Sequence, residues 1–323
     1  MKRKTIILAM SCNQQFFQDE ELAIRTRGYA RYVLEERFPG VEFWTYTASL
    51  DDKYHINKRE HKLSVPTGDG LYDTFEKTKA AFQLLIQSGI EFDYIFRTNL
   101  STHINPKMLQ LFVDGIPDNQ HETIFSNCIY CSKDSTGPVD YSLYGVGNSL
   151  LLPREWVEAI ASVDFQEIQS RNKVQLDDKQ TMYRVDDNAI GLVCNTIAMQ
   201  RGLDSWSIWK EFNKLPVLNP ETLASLKYSY FIAVPFRDYE KDSDRKIEFA
   251  MTEVMANNML VPSDAITPDE VYHYQTPADL ITVIDFTDGV SATCLRRRAR
   301  EFAESGLTLY EFFGKPKEEM SPH

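Results

Sequence analysis

Short runs of consecutive apolar residues alternate with longer segments of helical periodicity through the first 200 residues. The clearest apolar run is Thr5–Met10, and the clearest helical segment is 69–88, where apolar residues recur every three or four positions. Strands that alternate with helices form a mostly parallel sheet covered by helices on both faces. The alternation therefore predicts an α/β fold with a large, mostly parallel, Rossmann-like sheet.

The same periodicities predict the other elements of this fold. Strands are predicted at 41–46, 91–97 and 123–130, and helices at 19–37, 106–113, 154–161 and 188–199, while 144–152 is an apolar segment interrupted by glycines. A loop rich in Gly, Pro and polar residues is predicted at 133–140. After residue 260 the chain becomes rich in Pro, Asp and Thr, which indicates a linker. We therefore divide the chain into a domain at 1–260 and a linker with a small helical domain at 261–323.

The C-terminal segment is predicted to contain a helix-turn-helix. Thr276 and Pro277 are typical first residues of a helix, which would end near Phe286. Ser291 can begin a second helix that ends before Gly306. In DNA-binding proteins the second helix of such a unit enters the major groove. The candidate nucleic-acid contacts are Arg296, Arg297, Arg298 and Arg300, and the alternative is a solvated helix face.

The overall charge argues against a surface that binds nucleic acid along its whole extent. The chain has 47 Asp and Glu residues against 35 Lys and Arg residues, a net charge of −12, whereas nucleic-acid binding needs an excess of basic side chains. No apolar run approaches the roughly 20 residues that span a bilayer, and the run after the basic start is too short for a signal peptide. We therefore expect a cytoplasmic protein.

Two cysteines, Cys128 and Cys131, form a C-x-x-C motif. No second pair lies at the spacing of a zinc site, and both cysteines fall in a strand-like run. We interpret them as a chance pair rather than a metal or redox site.

Polar side chains occur where an α/β sheet usually carries its chemistry. The strand predicted at 91–97 stops in Thr98, Asn99 and Ser101, and the carboxylates Asp186 and Asp187 precede a predicted helix. Ligand sites of open α/β sheets lie at the carboxyl ends of the strands. We therefore predict one site, built from segments that lie far apart in the sequence.

Four short motifs occur in a fixed order within this region. They are Leu71-Tyr72-Asp73-Thr74 with Lys77-Thr78, Asp93-Tyr94-Ile95 with the turn 98–105, Tyr144-Gly145-Val146-Gly147, and Asp186-Asp187-Asn188-Ala189-Ile190-Gly191. In this order they resemble the motifs of the β-1,3-galactosyltransferase and Fringe-like glycosyltransferase family, and Arg25 and Arg27 resemble its N-terminal arginines. The resemblance covers residues 4–203. It implies a GT-A fold, a nucleotide-sugar donor and transfer of a hexosyl or pentosyl group with inversion.

The resemblance also implies roles for individual residues. Asp187, with Asp186 beside it, corresponds to the base that deprotonates the acceptor hydroxyl, while the alternative is that both carboxylates cap the following helix. Gly145 and Gly147 let the backbone approach the donor, or serve a turn. The candidate donor-binding residues are Ser11, Arg25, Tyr46, Lys77, Arg97, Thr98, Asn99 and Ser101.

Aromatic side chains offer further ligand contacts, because their faces can stack on sugar rings or bases. Tyr144 precedes the Gly145–Gly147 loop and Trp206 follows the predicted helix at 188–199, so both are candidates. Tyr46 can stack on the donor base or fill the core. For Trp209, packing is favoured, since its spacing from Trp206 is also that of a helix core.

The chain departs from the family at the residues that bind its divalent cation. Where the family has three aspartates, this chain has Asn99, Leu100 and Ser101, and a neutral serine is a poor ligand for Mn²⁺ or Mg²⁺. Three alternatives follow. Basic side chains hold the donor diphosphate without metal, other groups such as His103 or Asp186 hold the metal, or catalysis is lost and the site only binds a nucleotide or glycan. The candidate basic side chains are Arg25, Arg97, Lys227 and Arg237, and the alternative for Arg97 is a surface residue at the end of a strand.

Among these alternatives we favour the enzyme that works without metal or with little dependence on it. Its donor is predicted to be a UDP-sugar and its acceptor a glycan or another hydroxylated molecule. A hydroxylated base in DNA is a further candidate acceptor, guided by the C-terminal helices. An unrelated α/β nucleotide enzyme is disfavoured, because no G-x-G-x-x-G follows the first strand and no P-loop is present.

Overall fold

A computed structural model gives the fold of the chain. It describes residues 2–24, 29, 31–100, 102–133, 142–171, 185–212, 233–235, 267–275, 279–285 and 290–314. The strands are β1 (Thr5–Met10), β2 (Val41–Ala48), β3 (His55–Asn57), β4 (Lys62–Val65), β5 (Tyr94–Asn99), β6 (Thr102–Ile104), β7 (Ile124–Ser126), β8 (Ile129–Lys133), β9 (Ser142–Gly145), β10 (Ser149–Pro153), β11 (Trp209–Glu211), β12 (Ala233–Pro235), β13 (Leu280–Asp285) and β14 (Val290–Leu295). The helices are α1 (Gln15–Ile24), α2 (Arg31–Arg37), α3 (Thr74–Gln87), α4 (Pro106–Gly115), α5 (Arg154–Ser162), α6 (Phe165–Arg171), α7 (Asp186–Gln200), α8 (Pro268–Gln275), α9 (Arg296–Ser305) and α10 (Leu309–Phe313).

The large sheet has the strand order β11-β7-β10-β5-β1-β2-β4-β3. Its strands run parallel except for β10, which is antiparallel to β5 and β7, and β3 at the edge. One face buries apolar residues of α3, α5 and α7, and the other face buries residues of α2, α4 and α8. Because β5 is covered on both faces, its residues Tyr94 to Phe96 are all buried. The predicted α/β fold, with a mostly parallel sheet flanked by helices, is confirmed.

Two smaller sheets complete the described part of the chain. β6 pairs with β12 directly after the end of β5. The second sheet has the order β14-β13-β8-β9, so a strand near the C-terminus pairs in parallel with β8. The division of the chain at residue 260 remains a prediction. None of the described helices is both long and apolar enough to cross a bilayer.

The prediction of a helix that ends near Phe286 is wrong. The predicted helix-turn-helix, which depended on this helix, is therefore wrong as well. Residues 280–285 and 290–295 form the antiparallel strands β13 and β14. Their sequences are rich in β-branched residues, and in β13 Ile281 and Val283 are buried while Thr282 between them is only partly buried, which is the alternation of a half-buried strand. Asp288-Gly289, a dipeptide that is frequent in hairpin loops, lies between them and outside the described residues. Helical spacing misled the prediction, because a short apolar run fits both periods.

The helix predicted to begin at Ser291 is wrong in its start, because Ser291 lies in β14 and α9 begins at Arg296, but right in its end. α9 ends at Ser305, and the following Gly306 has a φ of 70°, the left-handed conformation that favours glycine. α10 begins with a capping box, in which Thr308 Oγ1 accepts from the Glu311 backbone N–H and the Glu311 carboxylate accepts from the Thr308 N–H.

Three other predicted elements differ in their bounds. The segment 19–37 contains two helices, α1 and α2, and the segment 123–130 contains two strands, β7 and β8. The strand predicted to end at Arg97 continues to Asn99. Arg97 therefore lies inside a strand, where its side chain cannot reach solvent at the strand end.

Candidate functional site

The carboxyl ends of β1, β2 and β5 lie together on one edge of the large sheet, since these strands run in parallel. The first turn of α7 and the loop between β9 and β10 meet at the same edge, because Arg97 of β5 contacts both Asp186 and Gly147. Several of the predicted site residues gather there.

A buried ion pair between Arg97 and Asp186 forms the centre of this cluster. The two residues are 1% and 3% exposed, and a guanidinium nitrogen of Arg97 contacts Asp186 Oδ2. Arg97 Nη1 also donates to the Gly147 carbonyl, and Arg97 Nη2 lies 3.6 Å from Met10 Sδ. Although burial opposes the charged form, the neighbouring Asp186 raises the pKa of Arg97 above its usual value. Arg97 is thus committed to protein groups, and its predicted contact with a diphosphate would require this pair to open.

Helix α3 holds Asp186 from the other side. Thr74 Oγ1 accepts from the Asp186 backbone N–H at 3.2 Å, and Thr78 Oγ1 lies 3.5 Å from Asp186 Oδ2. The Tyr46 hydroxyl is 2.8 Å from Thr78 Oγ1, and Tyr46 is fully buried, so it fills the core. Thr74 and Thr78 are four residues apart, so both lie on one, mostly apolar, face of the helix. This pair of polar residues on an apolar face could have been recognised in the sequence.

Asp187 lies beside the same pair but is only half-buried. Burial raises the pKa of its carboxyl to about 7, and the neighbouring Asp186 adds to the effect. Arg97 and a hydrogen bond from the Gly147 N–H act in the opposite direction. The two adjacent carboxylates therefore differ, because Asp186 is paired with a buried cation whereas the pKa of Asp187 is raised to about 7.

Glycine is required at position 147 because the two charged side chains occupy the space of a Cβ. A Cβ built there would overlap Asp187 Oδ1 and would lie 2.9 Å from Arg97 Nη1. We expect Gly147→Ala to displace the Asp187 carboxyl and to cost about 1–3 kcal/mol of stability, as overpacking does. Urea denaturation measures the cost.

The matched control for this substitution is Gly89→Ala. Gly89 has a φ of 67°, and no atom lies within 4 Å of the position that a Cβ would take, so only the backbone strain of about 1–2 kcal/mol applies. Activity and ligand binding should fall in Gly147→Ala and not in Gly89→Ala. Equal activity and equal ligand binding in the two variants would contradict the packing described here.

The loop that contains Gly147 packs directly on α7. A side chain on Gly191 would collide with Tyr144, which is buried and whose ring lies 5.5 Å from the ring of Tyr130, tilted by 36°. Burial, followed by the nearby Tyr130 and Asp187, raises the pKa of Tyr144. A Cβ on Gly145 would lie 2.7 Å from Ser126 Cβ. The glycines of this motif therefore serve close packing between loop, helix and strand.

A buried lysine lies at the end of β1. Lys77 Nζ is 2.6 Å from Asp69 Oδ1 and donates to the Ser11 carbonyl at 3.2 Å. Asp69 also accepts from the Asn13 backbone N–H at 2.7 Å. Since Lys77 precedes Thr78 and Ser11 follows Met10, this group adjoins the Arg97–Asp186 pair.

Two asparagines at this edge carry buried acceptors without a donor. Asn99 Oδ1, at the end of β5, and Asn127 Oδ1, directly after β7, have no hydrogen-bond partner among the described residues. Thr98 Oγ1 anchors the adjoining loop by donating to the Asn148 carbonyl at 2.7 Å. Buried polar groups in native proteins nearly always have a partner, so both amides are suited to a bound ligand. The sequence prediction missed Asn127, although this polar residue interrupts the apolar run at 123–130.

The described residues do not fit a divalent cation held by carboxylates. Within the ranges given above, no three His, Cys, Asp or Glu side chains lie close enough to hold a metal ion. Asp186, one predicted ligand, is already paired with Arg97. Ser101 and the side chain of His103 lie outside the described residues, as do four of the predicted basic residues, Arg25, Arg27, Lys227 and Arg237.

The remaining predicted residues lie at a different place. Trp206 and Trp209 are buried, and the Trp206 carbonyl accepts from Arg296 of α9. Arg297, Arg298 and Arg300 pair with glutamates of their own helix at 3.5, 2.8 and 3.1 Å. These contacts agree with the alternative of a solvated helix face. The nucleic-acid contacts predicted for these arginines depended on a helix-turn-helix that the structure replaces with a hairpin and one helix.

Comparison with known proteins gives limited similarity. No model of a known family matches the chain, and no curated protein matches its sequence. Among solved structures it is similar to the galactosyltransferase LgtC in complex with donor and acceptor sugar analogs, at 12% identity and a TM-score of 0.33, over 80% of this chain and 98% of that chain. An active-site mutant of LgtC gives 11% identity and a TM-score of 0.32 over the same shares. At these values the similarity fixes neither the family nor the activity of the chain.

Proposed function

We propose that the chain is a glycosyltransferase of the GT-A type, which moves a sugar from a nucleotide-sugar donor to a hydroxyl group of an acceptor glycan. The observation that carries the proposal is the different state of two adjacent carboxylates at the carboxyl edge of the sheet. Asp186 is buried and paired with Arg97, whereas Asp187 is half-buried with a pKa raised to about 7. Glycosyl transfer to a hydroxyl needs a base of this kind.

The proposed reaction is a direct displacement at the anomeric carbon. The acceptor oxygen forms a bond to this carbon while the bond to the departing diphosphate oxygen breaks, and the acceptor proton moves to Asp187. A carboxylate with a pKa near the working pH is suited to accept this proton. A single displacement inverts the anomeric centre. Arg97 acts as a positioning residue, since its contacts with Asp186 and Gly147 hold the turn that presents Asp187.

Donor recognition is proposed to use hydrogen-bonding groups and basic side chains without a metal ion. The Asn99 and Asn127 acceptors would take hydroxyl donors of the sugar, because both lack a protein donor among the described residues. Lys77, whose ammonium lies at the end of β1 and is paired with Asp69, would bind the diphosphate only if this ion pair opens. A UDP-sugar is the first donor to test.

Thermal denaturation tests the proposed donor class. A ligand that binds only the folded state stabilises it, by about 2.7 kcal/mol at 100 times its Kd. We expect one nucleoside diphosphate or its sugar to raise the Tm, and the rise to be the same in EDTA as in Mn²⁺. Asn99→Ala should reduce the rise, and Asn57→Ala, at the exposed edge strand β3, is the matched control. Absence of any rise across UDP-, GDP-, ADP- and CMP-sugars would contradict the proposal.

A second candidate is a protein of the same fold that binds a nucleotide or glycan without turnover. The observation in its favour is the sequence Asn99-Leu100, which lacks the carboxylates of the family that it resembles. Release of free sugar from the stabilising donor distinguishes the two. Slow hydrolysis that depends on Asp187 supports the enzyme, whereas a donor that binds and is never cleaved, with any acceptor, supports the binding protein.

A further inference from the structure

A cleft of about 670 Å³ lies between β11 and the N-terminal end of α9, apart from the residues of the proposed active site. Four basic side chains line it, Lys210, Arg296, Arg297 and Arg300. This concentration of positive charge occurs in a chain with a net charge of −12. Four cations in one cleft repel one another unless neighbouring carboxylates or a bound anion compensate their charge.

The carboxylates of the cleft are already engaged with other groups. Asp279 pairs with Arg296 at 2.5 Å, and Asp204 pairs with Arg300 at 3.0 Å. Glu211 accepts from the Ile129 backbone N–H at 3.0 Å and is buried. Among the described residues, these partners leave Lys210 and Arg297 as the cations of the cleft that lack a close carboxylate within it.

Lys210 is the less well compensated of the two. Its Nζ lies 2.9 Å from Gln120 Oε1 and 3.4 Å from the Tyr272 hydroxyl, both uncharged, and no carboxylate of the described residues is within ion-pairing distance. Burial lowers the pKa of Lys210, an effect that Asp279 partly offsets and Arg296 increases. A partly buried ammonium beside another cation is stabilised by an anion.

Arg297 is the second cation that lacks a carboxylate within the cleft. Its side chain is 84% exposed, and its ion pair with Glu301, at 3.5 Å, is of the exposed kind that contributes little. Arg297 also lies in the first turn of α9, where the helix dipole favours negative charge and disfavours arginine. α9 has no side-chain cap and no acidic residue in its first turn.

We propose that this cleft binds a phosphate group, held by Lys210 and Arg297. Guanidinium and ammonium groups are the usual partners of phosphate oxygens in proteins. The cleft is larger than one phosphate, so a phosphate ester of a small molecule fits as well as free phosphate. The proposal is independent of the glycosyltransferase activity.

Isothermal titration calorimetry at constant ionic strength tests the site, with inorganic phosphate and glucose 6-phosphate as probes. We expect saturable binding to the full chain that weakens about tenfold in Lys210→Met and in Arg297→Gln, since each removes a charged hydrogen bond. Arg59→Gln removes the same charge at an exposed position of another region and should leave the affinity unchanged. Tighter binding of glucose 6-phosphate would favour a phosphate ester as the ligand, and tighter binding of inorganic phosphate would favour free phosphate.

The result that would overturn the proposal is binding that does not saturate, or affinity that both variants leave at the wild-type value. Because Arg297 is exposed, Arg297→Gln keeps the test decisive even if Lys210→Met does not fold. Phosphate bound at the proposed donor site would be insensitive to both variants, so the two sites are distinguished.

Discussion

Arg97→Met is expected to lower the free energy of unfolding by about 3–5 kcal/mol, the usual cost of leaving a buried charge without its partner. Methionine keeps most of the volume of the side chain but provides no donor for Asp186 or for the Gly147 carbonyl. Asp186 is 3% exposed, so water cannot replace the guanidinium. Urea denaturation followed by circular dichroism measures the loss.

Two further variants make this measurement specific. Arg154→Met breaks an exposed pair with Glu158 at 2.7 Å and should cost less than about 1 kcal/mol. The double variant Arg97→Met with Asp186→Asn removes both charges and should recover part of the loss. If Arg97→Met costs no more than Arg154→Met, the pair is not the buried structural element described here.

Asp187→Asn is expected to reduce turnover by about 10²–10⁴-fold, the usual contribution of a general base. The amide is nearly isosteric with the carboxylate and cannot accept the acceptor proton, so binding of the nucleotide should persist. If Asp187 is the base of the proposed reaction, turnover by the wild-type protein should rise with pH around the pKa of Asp187, about 7, because only an ionised carboxylate can accept the proton. Near-normal turnover of the variant would exclude Asp187 as the base.

The same variant is expected to gain stability at high pH. The folded state raises the pKa of Asp187 from 3.8 to about 7, so between these values the folded chain binds more protons than the unfolded chain. The free energy of unfolding contributed by this group therefore falls as pH rises through this range, and the cost is complete above it. Asp187→Asn removes the cost, and its advantage over the wild type should be largest at pH 8 and vanish near pH 4. An equal advantage at both pH values would contradict the shift.

Local sequence was sufficient for much of the architecture. Thr5–Met10 was predicted with the bounds that β1 has, because consecutive apolar residues without helical length indicate a buried strand. The carboxylates Asp186 and Asp187 were predicted to precede a helix and they begin α7. The catalytic role of Asp187 remains a prediction, and so do the donor contacts of Ser11, Thr98 and Asn99.

Long-range contacts decided what local patterns left open. Arg97 could be a surface residue or a phosphate contact on sequence grounds, and its burial follows from pairing with Asp186, which lies 89 positions further along the chain. The hairpin β13–β14 was mistaken for helix because its pairing with β8, more than 140 residues earlier, is invisible to a local window.

The sequence alone determined the α/β class, the strands β1 and β2, and the edge of the sheet where polar residues collect, since apolar periodicity and chain polarity are local properties. The tertiary structure alone decided which carboxylate pairs with Arg97 and which has its pKa raised to about 7. Two adjacent aspartates are chemically identical in the sequence, and they differ only through burial and the charges that distant segments bring to them.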